Sequence, residues 1–222
     1  MPATKKNPSY DPVTDFTPIS MVGTFGFFVF SHPSVPANSI AELIAYAKAN
    51  PGKLNYGTGN STSMLSTAQL ALLEKIDVVH IPYKGDGPLS TDLLGGRVHF
   101  AIATPGIAAP QVREGKLRVL ATLLPSRSPL LPEAPTMAEA GVPGLSITPW
   151  GALFGPAKMP RDIVERVHKE FVAAMGRADV QAQMEKQAFL MSPSTPEKLG
   201  AFVKEQMESY RTILRAAGVQ PE

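Results

Sequence analysis

The sequence predicts an α/β fold built on a parallel sheet. From Lys53 to Leu124, short apolar segments alternate with helix-like stretches, which implies crossover connections between parallel strands. Several of those segments run into loops of Gly, Ser and Thr that open directly into the next helix-like stretch. The chain has 222 residues, 44% hydrophobic and 18% charged, enough to bury a sizeable core and typical of a globular protein.

Residues 1–18 read as an irregular lead-in, because Pro2, Pro8, Pro12 and Pro18 interrupt regular structure. FGFFVF, Phe25 to Phe30, is β-rich and apolar on both faces, as a buried strand is. Ser39 with Glu42 forms a capping box and starts a helix that stops at Asn50-Pro51-Gly52. A repeating unit follows: strand 53–57 and helix 63–75, strand 77–82 and helix 87–94, strand 97–103 and a short helix to Glu114. Pro88 suits a first helical turn and Gly95-Gly96 a helix end. KLRVLATLL, 116–124, closes the series. After the proline-rich break at 125–135, Thr136 and Glu139 predict a short capped helix, and two strand-like pieces flank Trp150. The remainder reads as helical, with apolar stripes on Ile163, Val164, Val167 and Phe171 and on Leu199, Phe202, Val203, Gln206, Tyr210, Ile213 and Leu214. Those stripes are read as core packing.

Composition excludes several functions. A formal charge of +2 leaves no basic field for nucleic acid. The absence of Cys removes disulfides, thiol catalysis and most structural zinc sites. No run approaches the roughly 18 apolar residues of a membrane span. MPATKKNPSYDP has lysines but no apolar region after them, so it is not a secretory signal; the chain is either cytoplasmic or a shortened form of an exported protein.

In an open α/β sheet, ligands bind in the crevice beyond the C-terminal ends of the strands. Three such ends carry candidate loops here: Thr58-Gly59-Asn60-Ser61-Thr62-Ser63, Tyr83-Lys84-Gly85-Asp86-Gly87 and Thr104-Pro105-Gly106. The first two lead into helix N-termini, whose unpaired N–H groups and dipole favour an anion. Two readings stand side by side: a carboxylate cradle, or a helix that Ser61, Thr62 or Ser63 caps for itself.

Other chemistries have less support. Gly57-Thr58-Gly59 followed by Thr62 lacks the third glycine and the acidic partner of a dinucleotide fingerprint. There is no phosphate loop and no G-x-S-x-G elbow, so a hydrolase using a serine of 61–63 lacks a base and an orienting group. His32, His80, His99 and His168 have no metal-ligand spacing, and Asp86 and Asp92 read as helix-start caps. The residues imply no metal, no cofactor and no catalysis.

YDPVTDFTPIS, ANPGKLNYGTGN, HIPYKGDGP, TDLLGGRVHFAI, REGKLRVLAT, RSPLLPEAPTMAEAGVPG and AGVQPE, in this order, resemble the tripartite tricarboxylate transporter receptors, also called Bug proteins. The resemblance runs from Tyr10 to the C-terminus. It implies a type II-like periplasmic binding protein fold of two α/β lobes that close on a small ligand. It also implies capture of a di- or tricarboxylate, amino acid or aromatic acid for membrane transporter subunits, without chemistry.

Carried over, the family's second-lobe ligand loop falls on Thr58, Gly59, Asn60, Ser61, Thr62 and Ser63. The PYKG loop falls on Lys84, Gly85 and Asp86 with Tyr83, and the third cleft loop on Thr104 with Pro105 and Gly106. Family members have further residues before YDP, so the resemblance implies an incomplete first lobe. Residues 1–34 are then a remnant of lobe one, 35–148 a complete second lobe, and 149–222 the mainly helical C-terminal part of lobe one. An incomplete sheet exposes apolar edges, from which either a homodimer or a partly disordered lobe one is expected, together with weak ligand affinity. By resemblance the protein is periplasmic; without a signal peptide it would be a cytoplasmic paralogue serving as a sensory or interaction protein.

Overall fold

The structure, a computed structural model, describes residues 6–145, 147 and 149–216. In chain order the elements are β1 (Phe16–Phe25), β2 (Phe28–Ser31), α1 (Ile40–Ala49), β3 (Asn55–Thr58), α2 (Ser61–Glu74), β4 (Val79–Pro82), α3 (Asp86–Leu94) and β5 (Phe100–Ala103). They continue with α4 (Pro105–Arg113), β6 (Arg118–Thr122), β7 (Trp150–Pro156), α5 (Arg161–Met175), α6 (Ala178–Glu185), β8 (Phe189–Met191) and α7 (Pro196–Ala216). The chain divides into two compact units: Gly26–Pro149, and the segments before and after it.

The Gly26–Pro149 unit holds a five-stranded sheet in the order β4-β3-β5-β2-β6. Strands β4, β3 and β5 are parallel, as the strand–helix alternation requires. The sheet is nevertheless mixed, because β2 enters antiparallel to both β5 and β6. The β2 residues Phe28, Val29 and Phe30 are fully buried at this interior position, each contributing about 1.5–3 kcal/mol of apolar burial. One apolar layer joins Val29, Phe100, Ile102 and Leu120 of the sheet to Ile40 and Leu43 of α1 and Leu70 of α2.

Local signals operate as expected in this unit. Ser39 Oγ accepts the Glu42 N–H at 3.1 Å and Glu42 Oε2 accepts the Asn38 N–H at 2.7 Å, which fixes the start of α1. The Thr136–Glu139 pair also forms reciprocal bonds of 2.8 and 3.1 Å. It closes only a turn, not the expected helix, since Gly141 at φ 90° reverses the chain at once.

The other unit holds a three-stranded antiparallel sheet in the order β7-β1-β8. Its central strand β1 was unexpected, because Pro18 argued for an irregular lead-in. Pro18 is tolerated because the β1–β7 register shifts between Pro18 and Ser20. The expected strand 25–30 is two strands: Phe25 ends β1, and Phe28–Ser31 lies in the sheet of the other unit. Phe28–Ser31 is thus hydrogen-bonded within the Gly26–Pro149 unit, on β5 and β6, and not with β1. Strand β8 corrects the expectation of an all-helical C-terminal region; Phe189 packs edge-on against Phe25, ring centroids 4.6 Å apart.

Met21, Leu199 and Val203 make the small core of this unit, bordered by Trp150, Phe154 and Phe202. Of the α7 stripe Leu199, Val203, Tyr210, Ile213 and Leu214 are buried, with Met207 added, while Phe202 and Gln206 are half-buried; on α5 Val164 is buried while Ile163 is 41% exposed. Trp150 opens β7; the strand-like piece expected before it includes Ser146 and Thr148, which lie outside the described residues, as does the AGVQPE motif at 217–222.

Candidate functional site

Three strands that are neighbours in the sheet, β4, β3 and β5, end on the same edge and lead into α3, α2 and α4. The three sequence-predicted loops are therefore side by side, with the 58–63 loop in the middle. Backbone pairing continues past the strands, where the Tyr83 N–H donates to the Thr58 carbonyl at 2.9 Å.

Asp86 ties the loops together. Its Oδ1 accepts from Asn60 Nδ2 at 3.2 Å and its Oδ2 accepts from Thr104 Oγ1 at 3.1 Å, so one carboxylate joins all three. Gly59 makes the approach possible: a Cβ there would stand 2.8 Å from both the Asp86 nitrogen and the Gly85 carbonyl carbon and would overlap the Asp86 carboxylate. Gly85 precedes α3 at φ 104°, a conformation that L side chains rarely adopt.

The predicted residues divide into framework and open surface. Thr58 is buried, its Oγ1 2.7 Å from His80 Nε2. Ser63 is fully buried, and its Oγ donates to the Ile102 carbonyl at 2.6 Å. The Ser63 amide donates to Asn60 Oδ1 at 2.9 Å, so Asn60 is the helix cap and that N–H is already satisfied. Ser61 is exposed and Thr62 half-buried, and among the described residues neither backbone N–H has an acceptor. Among the described residues the Gly87 and Gly106 amides, in the first turns of α3 and α4, are equally unpartnered. Lys84 is exposed and, among the described residues, makes no hydrogen bond or ion pair. The edge therefore presents open amides from three adjacent helix starts around a bonded carboxylate, with the exposed Lys84 ammonium next to them in sequence. Such donors suit a small anion. Among the described residues no group of three or more His, Asp or Glu is placed to hold a metal ion.

Sequence reasoning missed the partners behind this edge. The His80 ring stacks on Tyr56 with centroids 5.0 Å apart, and burial holds its imidazole below the ordinary value. Tyr83 donates to Asp92 Oδ2 at 2.7 Å; burial, reinforced by that carboxylate, pushes its phenol up to about 12. The Arg97 guanidinium, donating through Nε at 2.8 Å, and then the Tyr83 hydroxyl hold Asp92 below the usual carboxylate range. Asn60 and Asp86 are 26 residues apart and Tyr83 and Asp92 nine, so no local pattern announces either pair.

The family model for the tripartite tricarboxylate transporter family receptor matches residues 1–219. Protein BugT of Bordetella pertussis is 30% identical over 213 residues, covering 95% of this chain and 65% of BugT; the chain thus spans less than two thirds of that relative's length. The solved structure of R. palustris Rpa4515 with adipate is 30% identical with a TM-score of 0.86, covering 99% of this chain and 74% of that one. MatC (Rpa3494) from Rhodopseudomonas palustris with bound malate is 26% identical with a TM-score of 0.80, covering 96% and 74%. The fold is that of the periplasmic binding proteins. The motifs, the fold and these likenesses agree: the chain belongs to the receptor family of the tripartite tricarboxylate transporters.

Proposed function

We propose that this chain captures a small carboxylate for a tripartite tricarboxylate-type transporter in the periplasm, by binding alone. The observation that carries this reading is the row of unpartnered amides at Ser61, Thr62, Gly87 and Gly106 on one sheet edge. Family neighbours solved with adipate and malate support the ligand class. In this reading Gly26–Pro149 is the second lobe, and β1, β7, β8 and the C-terminal helices belong to the first. Thr58 and Ser63 hold the loop in shape, Asn60 and Asp86 join it to its neighbours, and Gly59, Gly85 and Thr104 allow or complete that junction. The amides of Ser61 and Thr62 with the Lys84 ammonium meet the carboxylate.

Calorimetric titration with adipate, malate and citrate tests this. Ser61→Pro removes one amide at a position where proline fits the helix. It is expected to weaken binding about tenfold, the worth of one charge-assisted hydrogen bond of about 1.4 kcal/mol, with little change in stability. Absence of binding to any carboxylate, or unchanged affinity in Ser61→Pro, refutes the assignment.

We also propose a homodimer through the β7-β1-β8 unit, supported by Phe16, Phe25 and Ile163 at 38–43% exposure. A monomer across the accessible concentration range by light scattering disproves it.

A further inference from the structure

The opposite edge of the same sheet contains two histidines whose ring nitrogens serve as acceptors for backbone amides. His99 Nδ1 accepts the Asn55 N–H at 2.8 Å, while the His99 N–H donates to the Asn55 carbonyl at 3.0 Å. The His32 N–H donates to the His99 carbonyl at 2.9 Å. His32 repeats the arrangement: its Nδ1 accepts the Ser34 N–H at 3.1 Å and lies 2.8 Å from Ser34 Oγ.

A ring nitrogen that accepts an N–H carries no proton, so neutral His99 is the Nε2–H tautomer. An added proton turns Nδ1 into a donor facing a donor and abolishes the bond to Asn55. Burial already holds the His99 imidazole below its ordinary value, and the charge of His32 adds to that effect. The charged groups nearby offer no compensation. Arg97 approaches with its carbonyl, which accepts from Asn55 Nδ2 at 3.4 Å, and its guanidinium is paired with Asp92 of α3. Arg118 of β6 donates to the carbonyls of Pro33 and Val35 at 3.3 and 2.8 Å. Among the described residues neither imidazole has a carboxylate hydrogen-bond partner.

Strand β3 is only four residues long. Asn55 is its first residue and Thr58 its last, and Thr58 opens into the candidate carboxylate loop. We propose that His99 is an acid-opened latch on β3: proton uptake at its ring frees Asn55 and loosens the strand that carries the 58–63 loop, so ligand is held at neutral pH and released in acid. The release half rests on the carboxylate reading of that loop; the latch itself does not. Because the folded value lies below the unfolded one of about 6.5, the bond's contribution to stability is complete above about pH 6.5 and is lost as pH falls through the lower folded value.

NMR on the full chain tests this between pH 7.5 and 5. The His99 ring nitrogens should report the Nε2–H tautomer at pH 7.5. The hydrogen-exchange protection of Asn55 should fall about tenfold as His99 titrates, ahead of the central β5 amides. His99→Asn keeps an acceptor that cannot titrate, and should leave Asn55 protection flat. Adipate affinity should drop at least about threefold more in the wild type than in His99→Asn over the same range, so ligand titration cancels in the comparison. A proton on Nδ1 at neutral pH, or Asn55 protection indifferent to His99 titration, overturns the latch. Equal pH dependence of adipate binding in both proteins overturns the release. Absence of binding to adipate, malate and citrate at every pH overturns the carboxylate reading and the release with it, while Asn55 still decides the latch.

Discussion

Replacing Asp86 by alanine removes the one acceptor shared by the 58–63 and 104–106 loops. In the folded chain that carboxylate receives Asn60 Nδ2 at 3.2 Å and Thr104 Oγ1 at 3.1 Å. A hydrogen bond to a charged group contributes about 1.5–3 kcal/mol when shielded, but Asp86 is half-buried and water competes, so about 1 kcal/mol each is appropriate. Its place in the first turn of α3 adds roughly 0.3–1 kcal/mol from the helix dipole. The expected cost is therefore about 2–3 kcal/mol, or roughly 5–10 °C in Tm for a chain of this size. Urea unfolding followed by circular dichroism measures it, and a double-mutant cycle with Thr104→Val separates the link from general damage. If the bond operates, Thr104→Val costs about 1 kcal/mol in the wild type and almost nothing in Asp86→Ala. Wild-type stability in Asp86→Ala, or additive effects within about 0.3 kcal/mol, would refute the reasoning.

Other perturbations probe the same framework. Gly59→Ala places a methyl against the Gly85–Asp86 backbone, and should destabilise by about 1–3 kcal/mol and weaken adipate binding, read by urea midpoint and calorimetry. Tyr83 should ionise at about 12, seen as the alkaline step missing from the ultraviolet titration of Tyr83→Phe. Because its folded value is raised above the unfolded 10, its contribution to stability is complete below pH 10 and disappears as pH rises toward 12, and Asp92→Asn should lower the step. Ser39→Ala should cost about 1 kcal/mol by loss of the α1 cap, without change in carboxylate affinity.

Much of the architecture is written locally. The alternation from 53 to 124, the Ser39 cap and the polar loops after successive strands are short-range patterns, and the helices and parallel strands they imply are present. A pattern of that range cannot say that a strand will enter a sheet backwards. Phe28–Ser31 looks like any buried strand, and its antiparallel place between β5 and β6 depends on partners about 70 and 90 residues away. Strand β1 was hidden for the same reason: Pro18 is locally disruptive, and only a bulge against β7 accommodates it.

The candidate site shows the division most clearly. Residue types alone placed small polar and glycine residues at helix starts, because helix dipoles and caps are properties of a few consecutive residues. Which of those residues are framework and which face outward was settled largely by distant partners: Ser63 turned inward to Ile102, and Asp86 gathered Asn60 and Thr104. Hydrogen bonds across 18 to 39 residues form only once the sheet has brought its strand ends together, so they leave no periodic trace in the chain.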